Sequence, residues 1–168
     1  MDKQHILSLG NERDMHLRVM AFMENSDELG FILTIHLVCE RIVETWIEAA
    51  SNNRNLFHDI KSLSFSAKLQ MAKNCDIPEY FYIFSRKLNI VRNQFAHNLE
   101  KTSISNDDLR NLEYCAQFLP DDAIGKNIHT NKIITKNGEC KYTDTTKNKK
   151  IGMIFFLVYS NLLANSRK

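Results

Sequence analysis

A chain of 168 residues with 43% hydrophobic side chains is one domain's worth and can bury a sizeable core. Two prolines and five glycines are too few for a turn-rich sandwich and favour long, uninterrupted helices. A net charge of +2 selects no partner, but its distribution is uneven: residues 1–125 carry 13 basic and 18 acidic side chains, whereas residues 126–150 carry seven lysines against Glu139 and Asp144. Such a segment either attracts polyanions or is a solvated lysine-rich loop.

The four cysteines, Cys39, Cys75, Cys115 and Cys140, form no Cys-x-x-Cys pair, and three sit in apolar helical patterns. The expectation is a reduced, cytoplasmic protein with no metal site and no cofactor. Met1-Asp2-Lys3-Gln4-His5 opens no signal peptide, since no adequate apolar stretch follows. The greasiest run, Ile151–Ala164, is broken by Gly152, Ser160 and Asn161 and reads as a buried helix rather than a membrane span.

In chain order, Glu12–Met23 carries a weak helical pattern. Ser26-Asp27-Glu28 caps a strong helix to about Ala50, with Leu29, Ile32, Leu33, Leu37, Val43, Trp46 and Ile47 at helical spacing, and Asn52–Asn55 ends it. Ser64-Phe65-Ser66 starts a shorter helix, Ala67 to about Cys75. Pro78 suits the first turn of the next, which fades between His97 and Lys101. Ser105-Asn106-Asp107-Asp108 caps a fourth, Leu109 to about Leu119, and Pro120 stops it. Lys132–Thr135 and Glu139–Thr143 flank Asn137-Gly138, a two-residue hairpin signal, and a last helix covers about Asn148–Ala164. The expected architecture is all-α: a single domain over residues 1–168 with a helical core at 25–120, a basic hairpin or ordered loop at about 126–148, and a C-terminal helix.

The most informative stretch is Arg92-Asn93-Gln94-Phe95-Ala96-His97. At about 100° per residue, with Arg92 at zero, Ala96, Asn89, Asn93 and His97 fall at roughly 40°, 60°, 100° and 140°. Phe81, Phe84, Leu88, Val91 and Phe95 occupy an opposing arc from roughly 260° to 340°. One face is therefore core. The other gathers a permanent cation, two amides and a near-neutral base around a small residue.

The block Ser64-Phe65-Ser66-Ala67-Lys68-Leu69-Gln70-Met71-Ala72, followed by Val91-Arg92-Asn93-Gln94-Phe95-Ala96-His97, resembles the mannitol operon repressor family of the HEPN superfamily of helical bundles. Phe31–Ala50, bearing Glu40 and Glu44, is similar to the first long helix of those proteins, and the resemblance spans about residues 25–120. It implies a HEPN-type bundle that forms a homodimer. Many such proteins are metal-independent endoribonucleases using this Arg and His at the dimer interface, some as toxins or defence factors with an antitoxin partner. Others regulate transcription through protein contacts. This chain has no helix–turn–helix with a basic recognition helix. Leu99 stands where the toxin branch carries a Tyr two positions after the His, so regulation by tyrosine modification there is unavailable.

For RNA chemistry, His97 would act as base or acid near neutral pH. Arg92 would hold the phosphoryl oxygens, and Asn93 would orient His97 or donate to the phosphate, with Asn89 and Glu40 in support. Lys132 and Lys141 of the hairpin are the candidate nucleic-acid contacts. The same side chains also fit purely structural roles, with Arg92 paired to Glu40 or Glu44 and His97 bonding a terminal carbonyl. His36 and Glu40, four apart, would bind a metal, buttress Arg92 or form a surface pair. Lys61 and Lys68 would touch phosphate or stay solvated. Trp46 reads as core or dimer interface, and Tyr80, Phe81, Tyr82 and Phe84 read as packing rather than base-stacking groups.

Overall fold

A computed structural model describes residues 1–60, 62–135 and 138–167. Among them are seven α-helices and one antiparallel hairpin placed before the last helix. The helices are α1 (Lys3–Ser8), α2 (Arg13–Met23), α3 (Glu28–Ser51), α4 (Phe65–Asn74), α5 (Glu79–His97), α6 (Asn106–Glu113) and α7 (Lys147–Arg167). Strands β1 (Lys132–Thr135) and β2 (Gly138–Lys141) form the hairpin. No described helix is long and apolar enough to cross a membrane.

The caps read from the sequence set the main helix boundaries. Asp27 accepts from the Gly30 N–H at 2.9 Å to start α3, and Ser64 accepts from Ala67 N at 3.2 Å to start α4. Ser105 and Asp108 form a reciprocal capping box on α6. Asn52, in the left-handed region at φ 53°, closes α3. Helix α6 is shorter than the sequence suggests, giving way at Tyr114 to a 3-10 stretch that runs to Phe118.

Helix α3 is central, packing on α1, α2, α4 and α5, while α7 closes the other side against α1, α2, α5 and α6. Phe31, Phe81, Phe84, Leu88 and Phe155 are completely buried between them, and the rings of Phe155 and Tyr159 stack at 5.6 Å. Trp46 lies in this core and donates its indole N–H to the Cys75 carbonyl at 2.9 Å. Cys39 is fully enclosed, and burial pushes its thiol up to about 12. Helix α7 comes so close to α2 that a Cβ at Gly152 would lie 2.4 Å from Met23 Sδ.

Helix α1 has no counterpart in the sequence reading. Six residues are too few for an autonomous helix, and tertiary contacts hold this one. Ile6 is fully buried, His5 Nε2 lies 2.9 Å from Glu48 Oε2, and Arg54 reaches Asp2 at 2.6 Å.

The hairpin register pairs Lys132 with Lys141 and Thr135 with Gly138. Gly138, at φ 109°, is therefore the first residue of β2 rather than a turn residue, and Asn137 lies outside the described residues. Strand β2 ends at Lys141, and Tyr142–Asp144 forms a 3-10 turn where the sequence suggested continued strand.

Candidate functional site

Helix α5 carries the motif, with its apolar back buried as the periodicity requires. Phe81, Phe84, Leu88 and Val91 are enclosed, and Phe95 packs at the margin of the core. Arg92 and Asn93 are half-buried, while Ala96 and His97 are exposed at the C-terminal end.

The Arg92 guanidinium donates through Nη1 to Asn93 Oδ1 at 2.9 Å. Its Nε is buried and has no hydrogen-bond partner among the described residues. Asn93 is thus engaged with Arg92 rather than orienting His97. His97 makes no hydrogen bond or ion pair among the described residues, so its imidazole stands free instead of capping a terminal carbonyl. Five residues along one helix separate Arg92 from His97 by about 140° around the axis and roughly 7.5 Å along it. Among the described residues no hydrogen bond joins the two side chains.

Neither Glu40 nor Glu44 pairs with Arg92, contrary to that sequence expectation. Both carboxylates grip Lys68 of α4, at 2.7 and 2.6 Å. Lys68 is partly desolvated, which disfavours its charge, but the two glutamates prevail and raise its pKa above the ordinary value. The phosphate-contact reading of Lys68 therefore gives way to a structural clamp between α3 and α4. Lys61 lies outside the described residues.

His36 of α3 turns to α5 instead of to Glu40. Its Nε2 lies 3.0 Å from Asn89 Oδ1, and Asn89 in turn donates Nδ2 to Ser66 Oγ at 3.2 Å. Because the Asn89 amide nitrogen faces Ser66, its oxygen faces the imidazole, and Nε2 carries the proton. The His36 ring also lies against Phe65, with centroids 4.4 Å apart. Burial and then the nearby Arg92 cation lower the His36 pKa, outweighing the Asn89 bond and Glu40. This His36–Asn89–Ser66 chain fixes α5 against α3 and α4 beside Arg92. Asn89 and His36 are each legible in the sequence, but the four-residue spacing from His36 to Glu40 suggests a pair that packing does not make. Ser66, two positions after the Ser64 cap, carried no distinct signal.

Three lysines of the basic segment 126–150 are ion-paired, and Lys136 lies outside the described residues. Lys132 pairs with Glu139 at 2.8 Å, Lys126 with Asp121 at 2.6 Å, and Lys149 with Glu24 at 3.2 Å. Lys147 Nζ bonds the Ile104 carbonyl, and Lys150 lies 5.6 Å from the centre of the Tyr142 ring. Lys141 is exposed and forms no ion pair among the described residues. Of the two hairpin lysines expected to meet nucleic acid, Lys132 already holds a carboxylate.

Among the described residues, no group of three or more His, Cys, Asp or Glu side chains is placed to hold a metal ion. Among the described residues all four thiols are free, Cys39 and Cys115 buried and Cys75 and Cys140 half-buried. Comparisons with protein-family models, curated proteins and solved structures gave no match.

Proposed function

We propose that this chain is a HEPN-type cytoplasmic endoribonuclease that works without a metal and is completed by a second copy of itself. The observation that carries the reading is the pairing, on one helix, of an oriented but incompletely satisfied guanidinium with a free, exposed imidazole. Arg92 is held by Asn93 and keeps unspent donors, while His97 stands at the open end of α5. A two-fold arrangement of α5 against its copy would bring two Arg92 and two His97 side chains into one cleft, which a single helix cannot do. Leu33 and Leu37 of α3 and Ile90 of α5 remain exposed, at 39, 62 and 45%, and offer apolar area for such an association.

In the reaction, one His97 takes the proton from the ribose 2′-hydroxyl, whose oxygen then attacks the adjacent phosphorus. Arg92 guanidinium donors meet the charge that builds on the non-bridging oxygens. The bond to the 5′-oxygen breaks, and the other His97, as imidazolium, protonates the departing oxygen. The products are a 2′,3′-cyclic phosphate and a 5′-hydroxyl. The decisive experiment incubates the purified chain with total RNA and identifies the fragment ends. Those two end groups, insensitive to chelator and lost in His97→Ala, are the expected result. Intact RNA, together with a stable protein partner recovered on pull-down, would overturn catalysis and leave a regulator acting through protein contacts.

A further inference from the structure

We infer that the cleft between α4 and α5 is a subsite for single-stranded RNA that leads the strand toward Arg92 and His97, with Arg86 as its phosphate clamp. This inference rests on the nuclease reading and names where its substrate lies. The cleft, about 380 Å³, is lined by Ser66, Leu69 and Gln70 of α4 and by Tyr82, Arg86 and Asn89 of α5.

Three observations point to a polyanion with bases. First, the lining has hydroxyl, amide and guanidinium groups but no carboxylate. Three other clefts each include one: Glu12 and Asp14 between α2 and α3, Asp107 on α6, and Glu24 and Glu28 next to the start of α7. The cleft beside the hairpin, which Lys132 lines, also lacks a carboxylate but is walled mainly by Ile124, Ile133, Met153, Phe156 and Leu157. Second, the cleft is continuous with the motif. Asn89 lines it and also anchors the His36–Asn89–Ser66 chain, and on α5 Tyr82, Arg86, Asn89, Asn93 and His97 all fall within an arc of roughly 60° to 140°. That stripe is about 22 Å long. Arg92 lies about 60° to one side of this stripe, and Arg86 precedes it by about 9 Å along the axis, a rise comparable to two or three stacked nucleotide steps of about 3.4 Å each. Third, Arg86 is exposed and forms no ion pair among the described residues, unlike Lys132 of the hairpin. The Tyr82 ring at the far end is covered by Lys73 Nζ at 4.5 Å, which adds a second cation there. A free guanidinium above neutral hydrogen-bonding groups fits a phosphate with a base beside it.

The test uses the full chain carrying His97→Ala, so that binding is read without cutting. A fluorescent, 2′-O-methylated oligoribonucleotide is titrated by anisotropy at several salt concentrations. Arg86→Ala should weaken single-strand binding about tenfold and lower the salt slope by about 0.7. Gln70→Ala should weaken it less, and Arg86→Lys should restore most of the salt slope. Arg110→Ala, outside the cleft, should change nothing, and circular dichroism checks that each variant is folded. In the His97-containing chain, Arg86→Ala should raise KM for long RNA by a larger factor than it lowers kcat. Binding that depends on Arg86 in a chain that cuts no RNA would uphold the subsite and overturn the nuclease reading. Cleavage indifferent to Arg86→Ala would do the opposite. Preference for duplex or for a protein, or no binding at all, would overturn the subsite.

Discussion

The buried His36 imidazole lies 3.0 Å from the Asn89 carboxamide oxygen and so joins the central helix to the motif-bearing helix through one neutral hydrogen bond. His36 is close enough to Arg92 for that cation to push its pKa further down, so an imidazolium here would stand unfavourably beside a second positive charge.

The depressed pKa makes stability depend on pH with a definite sign. Between the folded pKa of His36 and its ordinary value of 6.5, the unfolded chain binds more protons than the folded one. Stability therefore rises with pH through that window, levels off above 6.5, and falls on acidification below it. Urea unfolding of wild type and His36→Gln across pH 5 to 7.5 checks this. The variant should keep a donor toward Asn89 yet lose up to about 1.4 kcal/mol per pH unit of that slope.

Asn93 sets the electrostatics of Arg92 through its 2.9 Å bond to Nη1. Replacing the neutral acceptor with a carboxylate would turn that bond into an ion pair and occupy the cation. In the RNA-cleavage assay Asn93→Asp should lose about 100-fold or more, while Asn93→Ala should lose about tenfold or less. Equal losses for the two would show that the Arg92 charge is not used.

Lys68 of α4 holds two carboxylates that stand one turn apart on α3 and would otherwise repel each other. Lys68→Met should destabilise the fold by about 1 kcal/mol, modest because the glutamates retain access to water. Adding Glu40→Gln and Glu44→Gln should recover most of that loss in denaturant unfolding. RNA cleavage by the folded variant should stay at the parent rate, because Lys68 serves the scaffold.

At Gly152 the contact with Met23 outweighs helix propensity. Alanine would gain about 1 kcal/mol as a helix former, but its Cβ would sit 2.4 Å from the Met23 sulfur in a filled core. Overpacking of this kind costs about 1–3 kcal/mol. Gly152→Ala should lower Tm by about 2–4 °C, and in a Met23→Ala background the same change should become neutral or stabilising. Calorimetry on the four chains of this cycle measures the coupling directly.

Local chemistry alone determined much of this protein. The Asp27, Ser64 and Ser105 caps, the 3.6-residue apolar periods and the Pro78 boundary encode helices α2 to α6, because each depends on groups a few residues apart, although α6 gives way to a 3-10 stretch well before Pro120. The greasy and polar sides of α5 were readable for the same reason. Partner choice was not. Whether Glu40 meets Arg92 or Lys68, whether His36 meets Glu40 or Asn89, and whether the lysines of residues 126–150 are free or paired depend on how helices far apart in the chain are set against one another. Helix α1 exists only because Glu48 and the core receive it. Short-range hydrogen bonds and periodicity are written along the chain, but the pairing of charges is settled by packing, since burial decides which ions must find each other.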